Sequence, residues 1–174
     1  MLLWLPAILI RVFLPISIFF YPFWGSIFSV IGDSVDVFIW NALNAPNLSV
    51  YYNFIDKALD NYFYLIQGYI VLKWPNKIAK KTALFLLIYR TVGFIFYEIT
   101  KIRALLFIFP NVFILYFLFY LLFKTFFKYD PAKNWKRNVV FLLILLIPKL
   151  TQEYVMHVKE FNFFRWFLSM AGFS

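Results

Sequence analysis

The chain has 174 residues, 64% of them hydrophobic, 25% aromatic and 14% charged, with a formal net charge of +9. Soluble domains are about 45–50% apolar and about 25% charged, and one of this size buries only about 70% of the surface its unfolded chain exposes, so the composition demands lipid as solvent. Cysteine is absent, which excludes disulfides, thiolate metal sites and cysteine nucleophiles, and the basic residues are scattered between apolar runs, which speaks against nucleic acid.

Crossing the hydrocarbon core takes about 20 predominantly apolar residues. Residues 2–31 exceed that length but contain Pro6, Pro15 and Pro22, and proline interrupts the helical hydrogen-bond ladder. They form either one broken span or a helix followed by a turn at Tyr21-Pro22. No basic region precedes this run and no small-residue cleavage site follows it, so it is expected to stay as an anchor. Gly32-Asp33 and Asp36 come next, and the Asn/Pro cluster from Asn41 to Asn47 reads as a loop.

A helix is expected over residues 51–72, then a basic loop over 73–81. Residues 82–100 form a span interrupted by Arg90, and residues 104–123 another with a kink site at Phe109-Pro110-Asn111. Residues 124–138 are the most polar stretch, 139–158 the last clear span, and 161–168 an aromatic interfacial helix carrying Arg165 and Trp166. The expected fold is all-α: a polytopic transmembrane bundle of five to six spans with a C-terminal interfacial helix, one integral membrane domain over 1–174. Four Lys in the 73–81 loop and five Lys or Arg in 124–138 put both loops on the cytoplasmic side, with Asp33 and Asp36 towards the opposite face.

Charges inside spans are costly and default to function or to pairing. Asp33 and Asp36 share a helix face at i, i+3, and Asp56 and Asp60 do so at i, i+4. Four carboxylates from two helices suit a hard divalent cation, Mg²⁺ or Mn²⁺; they equally suit helix capping and contact with headgroups. Arg90 needs a carboxylate, carbonyl dipoles or an anionic lipid, and an aspartate from another helix is the expected partner, with Glu98 the same-helix alternative. Lys149, Glu153 and His157 form a stripe at i, i+4, i+8, so Arg90, Glu98, Glu153 and His157 are read as a polar intramembrane network.

Asp33-x-x-Asp36 followed by Asp56-x-x-x-Asp60, with Arg11 and Pro15 in the opening span, resembles the paired aspartates of the CDP-alcohol phosphotransferases, six-helix membrane enzymes of phospholipid synthesis. The resemblance covers residues 8–60. Val37, Trp40-Asn41 and Tyr52 stand where that family carries glycine, Ala-Arg and glycine. It implies that Asp33, Asp36 and Asp56 bind metal, and that Asp60 binds metal or serves as general base on an acceptor hydroxyl.

Three classes of function remain open: a lipid-headgroup enzyme; a small transporter or channel using the same residues along a polar path; and a structural subunit of a membrane complex that contacts lipid and partners through its aromatic surface. The expected partners are membrane lipids, anionic headgroups among them, and further copies of the chain or a membrane complex, with no nucleic acid.

Overall fold

The computed structural model describes residues 5–42, 49–102 and 104–155. Among them the chain is all-helical, with no strand. Helix α1 (Leu5–Ile16) runs into a short 3-10 turn (Ser17–Phe19), and α2 (Pro22–Ala42) packs back against α1. The described part of this stretch, residues 5–31, is thus a helix, a turn and the start of a second helix rather than one broken span. The reversal sits where Pro15 denies the Arg11 carbonyl its i+4 amide and Ser17 Oγ donates to the Leu14 carbonyl at 2.6 Å. At Gly25 a Cβ would lie 2.6 Å from the Ile18 backbone nitrogen, so only glycine lets α2 approach the turn this closely.

Helix α2 continues through Gly32, Asp33 and Asp36, which the sequence had suggested lay at a helix boundary. Helix α3 (Ser49–Leu72) and α4 (Lys77–Thr100) follow. The expected single span over 104–123 is instead two helices, α5 (Ala104–Ile108) and α6 (Val112–Thr125). Pro110 lacks the amide that a continuous ladder requires at the break. The break lies against α4 at Gly93, where a Cβ would come 2.1 Å from Phe109 Cβ. Helix α7 (Trp135–Glu153) closes the described chain, and the expected interfacial helix over 161–168 lies outside the described residues.

Helix α6 sits at the centre, packing on α2, α4 and α7. Phe113, Tyr116, Phe117 and Tyr120 are buried, and Trp74 lies over Phe117 and Tyr120, with ring centroids 5.5 and 4.3 Å apart. A buried polar relay crosses this core: Tyr116 OH donates to Asn138 Oδ1 at 2.5 Å, and Asn138 Nδ2 donates to Thr82 Oγ1 at 2.8 Å. It ties α6, α7 and α4 together, satisfying groups that would be costly if stranded.

The two basic loops meet. Asn76 accepts from the Ile78 and Ala79 amides, capping α4, and its Nδ2 donates to Asp130 at 3.0 Å and to the Ala132 carbonyl at 2.9 Å. By length and composition one helix among the described residues, Lys77–Thr100, is long and apolar enough to cross a membrane. Helices α2, α3 and α7 have 21, 24 and 19 residues.

Candidate functional site

Helices α1, α2 and α3 converge on Arg11, whose side chain is 5% exposed. Its Nη1 donates to Asp56 Oδ1 at 2.5 Å, and its Nη2 lies 2.7 Å from both Asp60 Oδ1 and Asp33 Oδ1. The local reasons are plain. Asp56 and Asp60 are one turn apart on α3 and present both carboxylates to one neighbour. The α1–α2 reversal folds Asp33 back to the level of Arg11, and Tyr62 OH, donating to the Val12 carbonyl at 3.2 Å, fixes α3 against α1. Asp33, Asp56 and Asp60 can each offer an oxygen within 4.8 Å of the others.

These carboxylates are a third to a half exposed. Asp33 and Asp60, with Arg11, line a cavity of about 320 Å³. Tyr64 of α3, Asn111 at the α5–α6 break, and Lys149 and Gln152 of α7 line it too. Asn111 Nδ2 donates to Tyr64 OH at 2.7 Å. Lys149 pairs with Glu153 at 2.9 Å and donates to Gln152 at 3.0 Å. The cavity is therefore carboxylate-rich where α1, α2 and α3 meet, and it takes an ammonium and two amides from α6 and α7.

Of the four aspartates expected to hold metal, the structure brings Asp33, Asp56 and Asp60 together; the side chain of Asp36 lies outside the described residues. Three carboxylates and one guanidinium give these four groups a formal charge of −2. Hard cations take carboxylate oxygens at about 2.0–2.6 Å, so ligand oxygens round one ion lie closer together than about 5 Å; the spacing of this donor set meets that limit, with Arg11 engaging one oxygen of each carboxylate. Asp60 also borders a crevice of about 30 Å³, shared with Lys57, Asn61, Tyr64 and Arg90, room enough for a water.

Of the expected network of Arg90, Glu98, Glu153 and His157, the three described residues have separate partners. Arg90 Nη1 donates to the Phe109 carbonyl at 2.8 Å; among the described residues it makes no direct ion pair, and it shares a small crevice with Asp60. The break before Pro110 presents that carbonyl to α4, and Tyr89 OH takes the neighbouring Ile108 carbonyl at 2.8 Å. Glu98 is paired with Lys57 and Lys101. Glu153 is buried, paired with Lys149, and accepts from the Asn111 amide at 3.4 Å. His157 lies outside the described residues.

Sequence reasoning missed Arg11 as the hub. The signal was present: Arg11 is a lone cation in an apolar run, as Arg90 is, and the energetic argument applied to Arg90 applies equally to it. No pattern, however, announced which cation the aspartates would meet. Compared with known protein families, with curated proteins and with solved structures, the chain matches none of them.

Proposed function

We propose that this chain is a multi-pass membrane protein that holds one divalent cation, Mg²⁺ or Mn²⁺, between Asp33, Asp56 and Asp60 and acts there on phosphate-bearing lipid headgroups. This is the chemistry its paired aspartates share with the CDP-alcohol phosphotransferases they resemble. The observation that carries the reading is the meeting of three carboxylates from two helices within 4.8 Å of one another, beside a cavity of about 320 Å³.

Lipid as solvent is supported by large apolar side chains left exposed on successive helices, among them Phe13 at 62%, Leu65 at 71%, Phe85 at 64% and Ile147 at 68%. Soluble monomers rarely expose continuous apolar surface on this scale. When bound, the cation would supply electrostatic stabilisation of phosphoryl oxygens. The chain's own residues do the rest. Arg11 orients the three carboxylates and draws three helices to one point. Asp60, which lines both cavities, is placed to accept a proton from an acceptor hydroxyl. Lys149, Asn111 and Gln152 offer donors to an anionic group in the same cavity.

A structural reading is favoured by one feature: Arg11 reaches three carboxylates at 2.5–2.7 Å, which would serve as a helix clamp with no ion at all. Manganese binding separates the two. Purified protein in detergent, titrated with Mn²⁺ and followed by electron paramagnetic resonance, should bind one ion per chain and lose it in Asp56→Asn/Asp60→Asn. A folded wild-type protein that leaves all the Mn²⁺ free refutes the cation site and leaves the clamp. For the membrane placement, Lys80→Cys and Lys133→Cys should label from one side and Lys101→Cys from the other; labelling of all three from one side refutes it.

A further inference from the structure

At the far end of α3 from the aspartates, some 18–24 Å along the helix axis at 1.5 Å per residue, the structure holds a second concavity. It is an open groove of about 340 Å³ between the end of α6, the 126–134 loop and α7. Its polar end is Lys136 and Arg137, in the first turn of α7; Val140, Phe141 and Ile144 continue the same face over the next two turns. From Lys136 to Ile144 the groove follows α7 for about 12 Å. Val140 and Ile144 are 57% and 61% exposed, so the apolar limb is uncovered among the described residues.

The groove is a built feature. The Tyr129 amide donates to the Phe123 carbonyl at 3.0 Å, and the Arg137 guanidinium lies 6.0 Å from the Tyr129 ring centre. The loop is pinned from below by the Asn76–Asp130 contacts, and Asn134 caps α7 by accepting from the Arg137 amide at 2.9 Å. Its charge has one sign. Among the described residues no carboxylate lines the groove, and Asp130, the acid in the adjoining loop, is engaged by Lys124, Asn76 and the Ala132 amide. The first turn of a helix adds the positive end of its dipole.

We propose that this groove seats one anionic phospholipid, its phosphate against Lys136 and Arg137 and an acyl chain along Val140 and Ile144. Two cations at one end and aliphatic side chains along α7 complement a molecule that is anionic at one end and hydrocarbon beyond it. Trp135, 63% exposed beside the basic pair, has the amphipathic ring that favours headgroup level. The site rests on the membrane reading but is independent of the aspartate cluster.

The test uses the full chain, released from detergent micelles in a native mass spectrometer after incubation with phosphatidylglycerol or phosphatidylcholine of equal chain length. One phosphatidylglycerol per chain should be retained in preference to phosphatidylcholine. Lys136→Gln/Arg137→Gln should cut that preference roughly thirty-fold, from about 1 kcal/mol for each basic residue at an anionic headgroup. Lys80→Gln/Lys81→Gln, the basic pair in the first turns of α4, should leave it unchanged, and Ile144→Asn should weaken retention of both lipids. Equal retention of the two lipids by the wild-type chain, or an unchanged preference in the Lys136/Arg137 variant, overturns the proposal. Displacement of the lipid by millimolar inorganic phosphate would do the same, by showing a free-phosphate site. Alkaline carbonate extraction separates the failures: a chain recovered in the supernatant sinks the membrane reading and the groove with it, whereas a membrane-retained chain without lipid preference sinks the groove alone.

Discussion

Arg11→Ala is the most informative perturbation of the bundle. The substitution removes a buried guanidinium and leaves three carboxylates within 4.8 Å of one another at the junction of α1, α2 and α3. An exposed ion pair contributes up to about 1 kcal/mol, and stranding a fully buried partner costs about 3–5 kcal/mol. Here the cation is buried and its partners are a third to a half exposed, so water screens each pair in part. Three such pairs at the exposed-pair limit give a loss of about 3 kcal/mol, measured by SDS-driven unfolding in mixed micelles. Arg11→Lys should recover only part of this, because one ammonium cannot reproduce the planar fork that meets three carboxylates. The same substitution should strengthen cation binding. A single and a double charge some 5 Å apart interact by several kcal/mol at an effective dielectric constant of about 20, so removing the guanidinium should raise Mn²⁺ affinity more than tenfold, and added Mn²⁺ should restore stability to the variant. Wild-type stability of Arg11→Ala would refute the hub; a destabilised variant that Mn²⁺ neither binds nor rescues would refute the cation site while sparing the hub.

Three further outcomes are expected. Gly93→Ala places a methyl 2.1 Å from Phe109 Cβ, an atom that cannot move without the backbone at the α5–α6 break. The overpacking cost of about 1–3 kcal/mol should exceed the helix-propensity gain of up to about 1 kcal/mol, and a more stable variant in SDS titration would show that α4 and the break are not in close contact. Asn138→Ala strands Tyr116 and Thr82 inside the core and should cost about 1–3 kcal/mol; unchanged unfolding would discount the relay. Burial alone would raise the Asp130 carboxyl, but hydrogen bonds from Asn76, Lys124 and the Ala132 amide outweigh it and hold the group below its ordinary value. A depressed carboxylate stabilises the fold fully above its unfolded pKa of about 3.9 and loses that contribution as the pH falls through the folded value. Stability should therefore decline below about pH 4, and less so in Asp130→Asn; identical pH profiles for the two proteins would contradict this.

Composition and periodicity determined the helical class, because so apolar a chain has few alternatives to burying its backbone polar groups within helices. Helix α3 (expected over 51–72) follows the sequence reading to within two residues, whereas α4 begins at Lys77, inside the 73–81 stretch expected as a basic loop, because Asn76 caps it there. The i, i+4 spacing of Asp56 and Asp60 placed both on one face before any packing was known. Tertiary structure decided the partners. The sequence offered Arg11 and Arg90 as equivalent lone cations in apolar runs, and only the α1–α2 reversal, built on Pro15, Ser17 and Gly25, brings Arg11 to the aspartates. The Pro110 break gives Arg90 a carbonyl as its hydrogen-bond partner. Lys57, an unremarkable neighbour of Asp56 in the sequence, takes Glu98 from α4, and Asn138, one residue before the expected start of the last span, joins a buried relay across three helices. Hydropathy records how far each residue prefers lipid to water, a property of the residue alone. Which charge meets which depends on helix rotation, crossing and the position of breaks, which are fixed by contacts between residues 45 and more apart in the chain.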